Sequence, residues 1–276
     1  MLKKRLIFTL LYDNGSFMLS RNFRLQNVGD LTWLESNYDF SRISYSIDEL
    51  IVLDVTRKNR NLDQFSNALK QISKGCFVPI AAGGGITQIS SAHKLLMSGA
   101  DKIVVNSKLF QDHSFADGLA AEFGQQCVVA SIDVKSSPNG DYTAWSQNGQ
   151  VCEKASAQYW IRSIANQNVG EIYLNSIDRD GTGQGFDLGI LAMLPEDLEK
   201  PIILAGGAGN ASHLFTALED LRVDAIATAN LFNFVGTGLI EARNSLVSNG
   251  IVLPMWDVNS LKLLLNADLN MVDQSD

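Results

Sequence analysis

The sequence is poor in the residues that build disulfide frameworks and metal centres. It contains three cysteines, Cys76, Cys127 and Cys152, and no two of them form a CxxC pair. An odd number of widely spaced cysteines indicates neither a disulfide scaffold nor a structural zinc site, and it fits a reducing cytoplasm. The three histidines fall in predicted helices or turns. We therefore expect no metal and no cofactor.

Basic charge and long apolar runs are also scarce. The net charge is −8, which gives no broad basic surface for a nucleic acid or an anionic membrane. The apolar run at residues 5–12 meets Asp13-Asn14-Gly15 instead of a small-residue cleavage site. It predicts a strand, with no export signal and no membrane span. Small molecules and other proteins are the expected partners.

Short, continuously apolar runs recur between helical stretches and predict eight strands of a parallel sheet that is buried on both faces. They cover residues 5–12, 50–55, 78–82, 102–106, 127–133, 171–176, 201–205 and 224–228. Eight such strands alternating with helices predict an α/β fold, a single (β/α)₈ barrel over residues 1–255. Residues 256–276 are expected to add a helix and a frayed tail.

An internal repeat divides the predicted barrel into two similar halves. "PIAAGGGI" at 79–86 is echoed by "PIILAGGAGN" at 201–210, an offset of 122 residues. The same offset maps Glu49 onto Glu171, and it maps Leu11 onto Asp133. One half therefore ends its first strand with an acid, whereas the other half places leucine there.

The repeat also duplicates a glycine-rich turn at the carboxyl ends of the third and seventh strands. Backbone N–H groups in such turns converge on anions, and the following helix adds its positive end. The strands that follow the two turns in the chain end in residues whose side chains and N–H groups can complete each anion site. The predicted two-phosphate site consists of the turn Gly83-Gly84-Gly85 with Asn106 and Ser107 in one half, and the turn Gly206-Gly207-Ala208-Gly209 with Ala229 and Asn230 in the other. The alternative is that these glycines only make tight turns.

The loop "SIDRDGTGQGFD" at 176–187 is the most distinctive in the sequence. Asp178 and Asp180 are candidates for binding a polyol or transferring a proton, and the glycines allow a close-fitting backbone. A solvated acidic turn is the alternative. A calcium loop is a weaker one, because the later ligands of that pattern are missing.

Charged residues stand at four predicted strand starts, where a barrel interior is normally apolar. They are Arg5, Glu49, Lys102 and Glu171. Buried charges persist when they are paired, so two acids and two bases predict a closed ring across the N-terminal opening. The ring is either a salt-bridged plug or a gate for a small polar molecule.

With these motifs in place, the chain resembles the cyclase subunit family of imidazole glycerol phosphate synthase, of histidine biosynthesis, over about residues 1–255. The resemblance rests on Lys4-Arg5, Asn22-Phe23, "DEL..LD" at 48–54, "GGGI" at 83–86, "GADK" at 99–102, "FGQQC" at 123–127, "SIDRDGTGQGFD" and "GGAGN" at 206–210. It implies a barrel that receives ammonia from a separate glutaminase subunit, as a heterodimer. It also implies that ammonia crosses the barrel to a bisphosphorylated ribulosyl-aminoimidazole, which is cleaved and cyclised.

The resemblance assigns both phosphate turns and the four-residue gate in full, but the catalytic pair is incomplete. One member is Asp133, and the other aligns on Leu11, which cannot exchange a proton. The first loop also carries Leu19 where the family has a lysine. Asp13 lies two residues beyond Leu11 on the same face of the strand, about 6 to 7 Å further along, and is a possible substitute.

The chain thus combines a complete four-residue gate with an incomplete catalytic pair. In this combination it resembles a divergent branch of the family, the glycosyl amidation-associated proteins of surface-polysaccharide pathways. That resemblance implies ammonia supply to an N-acetyl sugar amidotransferase in O-antigen or lipopolysaccharide biosynthesis, and this is our leading expectation. The alternatives are a genuine cyclase (lyase) using Asp133 with Asp13 or Asp178, and a non-catalytic barrel that binds a phosphorylated ligand and activates its glutaminase.

Overall fold

A computed structural model describes residues 3–37, 44–229 and 238–255 of the chain. Eight parallel strands hydrogen-bond in a closed ring, in the order β1, β4, β5, β6, β7, β10, β11, β12, and then back to β1. Their bounds are β1 Arg5–Asp13, β4 Glu49–Asp54, β5 Ile80–Gly83, β6 Lys102–Val105, β7 Val128–Ser136, β10 Glu171–Ser176, β11 Ile202–Ala205 and β12 Ala225–Thr228. The chain is a (β/α)₈ barrel.

Helices connect the barrel strands, and two antiparallel hairpins extend from its carboxyl-terminal face. The helices are α1 Leu31–Asn37, α2 Leu62–Gly75, α3 Ile89–Leu96, α4 Ser107–Gln111, α5 Ser114–Phe123, α6 Ala157–Ala165, α7 Ala211–Glu219 and α8 Gly238–Ser248. Hairpin β2 Ser16–Arg21 and β3 Arg24–Asp30 follows β1, and hairpin β8 Tyr142–Ser146 and β9 Val151–Ser156 follows β7. The hairpins therefore follow strands related by the sequence repeat.

The alternation of side chains along each strand produces two cores. Leu6, Phe8 and Leu10 of β1 point outward and are fully buried in the larger core with the helices. The other face of the strands fills the barrel axis. That inner core consists of Ile7, Ile51, Ala81, Val104, Val129, Tyr173, Ile203, Ala205, Ala225 and Ala227. Inward residues at the two ends of the strands consequently face the two openings of the barrel.

The structure confirms the predicted barrel, and strand bounds differ by three residues at most, at the end of β7. Cys127 lies in a 3-10 turn before β7 rather than within the strand. The first hairpin was predicted as a loop, and this was wrong, because its turn places Asn22 in a left-handed conformation that favours hairpins. The second hairpin, with Asn148 in the same conformation, was not predicted. The predicted extension at 256–276 lies outside the described residues. No helix in the described ranges is long and apolar enough to cross a membrane.

Candidate active site

A cavity of about 660 Å³ opens at the carboxyl ends of the barrel strands. In α/β barrels this face carries the catalytic residues. Both repeat-related positions, Leu11 and Asp133, line the cavity, together with residues from both glycine turns and both hairpin tips. Because β1 and β7 are four strands apart in the ring of eight, these two side chains come from opposite walls.

Asp133 is the carboxyl group at the floor of the cavity. Its side chain accepts hydrogen bonds from Asn106 Nδ2 at 3.1 Å and from Asn175 Nδ2 at 3.4 Å. Burial raises the pKa of Asp133 to about 7, since it outweighs the hydrogen bonds from Asn175 and Asn106, and the nearby charge of Asp180 adds to the rise. A carboxyl group that titrates near neutrality suits general acid or base catalysis.

Leu11 occupies the equivalent place on the other half-barrel. It is 8% exposed and pairs across the sheet with Leu53 of β4. Leu53 and Leu19 also line the cavity, so this wall is apolar where the opposite wall carries Asp133. Asp13 is not among the residues that line the cavity.

The two aspartates of the 176–187 loop have different surroundings. Asp180 lines the cavity and is buried, and its Oδ2 accepts hydrogen bonds from the Ser20 hydroxyl and from the N–H of Phe23 at 3.0 Å. Asp178 does not line the cavity, and its Oδ2 accepts hydrogen bonds from the N–H and the hydroxyl of Ser136. Of the two, Asp180 lies where it can contact a ligand, and it also anchors the first hairpin.

The first glycine turn presents unpaired backbone donors to the cavity wall. Within the described residues, the N–H groups of Gly84, Gly85 and Ile86 donate to no acceptor. Asn106 and Ser107 line the cavity next to this turn, although the Ser107 hydroxyl already accepts a hydrogen bond from the N–H of Gln147 at 2.9 Å. The turn therefore has the donors that an anion requires.

The second turn faces the same cavity. Gly206, Gly207 and Ala229 all line it. Gly207 packs so closely against the Gly185 carbonyl that a Cβ atom would not fit there. The remaining predicted member, Asn230, lies outside the described residues.

At the opposite end of the barrel the four predicted charges form a closed ring. Arg5 bridges Glu49 at 2.9 Å and Glu171 at 2.7 Å, and Lys102 bridges the same two carboxylates at 2.9 and 2.7 Å. Oε1 of Glu49 is buried without a hydrogen-bond partner within the described residues. Positive and negative side chains thus alternate around the axis at the N-terminal opening.

The two carboxylates of the ring titrate in opposite directions. Burial raises the pKa of Glu49, against the pull of Lys102 and Arg5, with the charge of Glu171 adding to the rise. Burial also acts to raise the pKa of Glu171, but the hydrogen bond and charge of Arg5, together with Lys102, outweigh it and lower that pKa. Glu49 is therefore the ring member that protonates more readily.

The tips of the two hairpins meet above the cavity. Arg57 donates one hydrogen bond to the Phe23 carbonyl at 2.7 Å and another to the Asn148 carbonyl at 3.4 Å. Gly149 packs against the Phe23 ring, and any side chain at 149 would collide with it. We call this arrangement of residues 21–24, 57 and 147–149 the roof.

Sequence reasoning missed the arginines of the site. Arg21, Arg24, Arg57 and Arg60 all line the cavity and are the basic side chains of its described lining. Arg57 and Arg60 lie in the loop after β4, where no periodic pattern or repeat identifies them. No cluster of three or more histidine, cysteine or acidic side chains suited to a metal occurs among the described residues.

Comparison with known proteins matches residues 37–236 to the model of the family described as histidine biosynthesis protein. The chain belongs to this family. Its relatives include a protein of Parasynechococcus marenigrum, provisionally named imidazole glycerol phosphate synthase subunit hisF2, which is 46% identical over 88% of this chain and 90% of its own length. The imidazole glycerol phosphate synthase subunit HisF of Caulobacter vibrioides is 32% identical over 91% of this chain and 96% of its own length. Within the histidine biosynthesis family, the chain is therefore similar to imidazole glycerol phosphate synthase cyclase barrels.

Proposed function

We propose that this chain is the barrel subunit of a glutamine amidotransferase of the imidazole glycerol phosphate synthase type. It receives ammonia from a glutaminase partner at its N-terminal opening and delivers it, within the cytoplasm, to a phosphorylated acceptor in the cavity. The observation that carries this proposal is the closed ring of Arg5, Glu49, Lys102 and Glu171 at the N-terminal opening, at the opposite end of the barrel from the cavity that Asp133 lines.

The charges of the ring suit a passage for a neutral polar molecule. Two positive and two negative side chains satisfy each other, while one oxygen of Glu49 keeps its acceptor capacity. Four small side chains, Ala81, Ala205, Ala225 and Ala227, belong to the inner core and leave it less filled than leucine or isoleucine would, and two of them, Ala205 and Ala227, line the cavity. Ammonia is small enough to use such a route.

The reaction at the acceptor has two candidates, and the comparisons favour the first. The relatives are named as subunits of imidazole glycerol phosphate synthase, which supports cleavage and cyclisation of the bisphosphorylated ribulosyl-aminoimidazole, with Asp133 as acid and base. Phosphate binding at the two glycine turns is part of this proposal, and unpaired N–H groups at the first turn support it.

Leu11 supports the second candidate, in which ammonia passes to an N-acetyl sugar amidotransferase for surface-polysaccharide biosynthesis. Cyclisation needs proton transfer at two places, and general acid or base assistance typically contributes about 10² to 10⁴-fold to a rate. A barrel with a leucine on one catalytic wall is poorly equipped for that reaction. The names of the relatives lend no support to sugar amidination.

Coupling experiments with a glutaminase partner test the shared part of the proposal. Lys102→Ala opens the ring, so we expect glutamine hydrolysis to continue while less of its ammonia reaches product. Lys94→Ala is the matched control, because Lys94 pairs with Asp63 on the outer helices. Unchanged coupling in Lys102→Ala would favour a barrel that only activates its glutaminase.

The acceptor is tested separately by supplying ammonium salt and the bisphosphorylated cyclase substrate to the purified barrel. Turnover close to that of an ordinary cyclase supports the first candidate and eliminates the sugar reaction as the main role. Absence of turnover, with coupled ammonia delivery in the presence of a sugar amidotransferase, supports the second.

A further inference from the structure

The two glycine turns are equivalent in sequence, but the groups packed on the equivalent glycines, Gly85 and Gly207, differ in polarity. A Cβ atom on Gly85 would overlap Nη1 of the Arg60 guanidinium, whereas one on Gly207 would overlap the Gly185 carbonyl oxygen. The repeat that relates Gly85 to Gly207 places Thr182 at the position of Arg60. Arg179 also packs on Gly207, but the contact is through its Cβ, and Arg179 does not line the cavity. Among the described residues, the first turn therefore has a guanidinium nitrogen against its glycine, and no equivalent cation lines the cavity at the second turn.

Arg60 is held in place by its own loop. Its Nε lies 3.1 Å from Asp54 Oδ2, and its Nη2 donates to the Thr56 carbonyl at 2.7 Å and to the Asp54 carbonyl at 3.3 Å. The Asp54 side chain is 1% exposed, so this carboxylate is a rigid anchor. Two of the three guanidinium nitrogens are thus occupied.

The third nitrogen, Nη1, makes no hydrogen bond within the described residues, and Arg60 lines the cavity. It lies against Gly85, and the N–H groups of Gly84 and Gly85 also donate to no acceptor in the part of the chain that the structure describes. A guanidinium that is already oriented loses little conformational entropy when it binds an anion. Backbone donors and one charged donor therefore meet at one place on the cavity wall.

Glycine at position 85 is required by this arrangement for two reasons. Its φ of 65° lies in the left-handed region, and any side chain would displace the guanidinium from the turn. The glycines of the first turn thus make room for Arg60 in addition to exposing the backbone.

We propose that Arg60, anchored by Asp54, binds phosphate directly and makes the first turn a site for a doubly charged phosphoryl group. The second turn binds its phosphate through the backbone without a cation of this kind. The inference deepens the proposed function, since it rests on a phosphorylated acceptor, and it identifies the end of that acceptor that is held more tightly.

Titration of the purified barrel with inorganic phosphate, followed by ³¹P NMR, tests this inference without any acceptor or partner. We expect Arg60→Gln to weaken the tighter phosphate site by about tenfold to a hundredfold, the usual contribution of a charge-assisted hydrogen bond. Lys58→Gln is the matched control, because it removes one exposed charge from the same loop at a residue that does not line the cavity. It should change the affinity by about twofold or less.

Equal losses of phosphate affinity in the two variants would show that only the overall charge near the cavity matters, and would refute the inference. If Arg60→Gln fails to fold, Arg60→Lys tests the inference instead. It keeps a positive charge beside Asp54 but lacks the planar guanidinium group that can bond Asp54 and phosphate at the same time. Weaker binding in Arg60→Lys supports the inference, and wild-type affinity refutes it. Wild-type protein that binds no phosphate refutes the phosphorylated acceptor itself, whereas equal binding by wild type and Arg60→Gln refutes only the role of Arg60.

Discussion

Replacing Leu11 by aspartate restores a carboxyl group on the wall of the cavity that faces Asp133. Leu11 is 8% exposed and lies beside Leu53 and Leu19, so burial will raise the pKa of the new acid. Asp133 titrates near 7 even with two amide donors. The new acid should therefore stay protonated to a higher pH than an exposed aspartate, which brings it closer to the range useful for proton transfer.

If the missing acid is what limits cyclisation, Leu11→Asp should raise turnover of the bisphosphorylated substrate with ammonium salt by about 10² to 10⁴-fold. Its stability should fall by roughly 3 to 5 kcal/mol, since a buried leucine is lost and a carboxyl group takes its place. Leu11→Asn is the control, because it has nearly the same shape and similar polarity but exchanges no proton. If Leu11→Asp and Leu11→Asn are equally slow while both remain folded, the lost acid does not explain the chemistry of this barrel.

Two further predictions concern Asp133 and the roof. The folded-state pKa of Asp133 is raised to about 7 from a reference of 3.8, so the folded protein favours the protonated carboxyl group. The stability that this group contributes is fully present below pH 4 and is lost as the pH rises through 7. The free energy of unfolding of Asp133→Asn, measured with urea, should therefore rise relative to that of wild type by roughly 4 kcal/mol between pH 4 and pH 8. If the difference between the two proteins does not change with pH, this carboxyl group is not buried as described. Arg57→Ala removes the hydrogen bonds to Phe23 and Asn148, and hydrogen exchange at residues 16–30 and 142–156 should accelerate. Lys58→Ala serves as the control for exchange, because Lys58 is an exposed neighbour of Arg57 outside both hairpins. Equal protection of the hairpins in the two variants would mean that Arg57 does not hold the tips together.

The barrel strands were predictable because each is a continuous apolar run that is buried on both faces. The hairpins were not, because strands such as Arg24–Asp30 are mostly exposed and carry little apolar alternation. Their signals are turn residues, with Asn14-Gly15 and Asn22 in left-handed conformations. Such residues are equally common in loops, so the sequence alone does not separate the two.

The charged ring was predictable for a physical reason that does not apply to the arginines of the cavity. A charged side chain that points inward at the start of a barrel strand must pair with an opposite charge. The starts of the other strands at the same end of the barrel offer few possible partners. Arg57 and Arg60 lie in an exposed loop, where an arginine needs no explanation. Their importance depends on Gly85, Phe23 and Asn148, which are brought beside them only by the closure of the barrel and the folding of both hairpins.

The divergence of Leu11 from Asp133 has a consequence for how a molecule with two similar ends can lie in this cavity. In a barrel with identical halves, such a molecule would bind equally well in two orientations related by rotation about the axis, and half of the complexes would face the wrong wall. Unlike side chains at equivalent positions remove that degeneracy. A difference of about 1.4 kcal/mol between the orientations is enough to populate one of them tenfold over the other. The difference between the two halves therefore favours one orientation of the bound molecule, which a barrel with identical halves could not do.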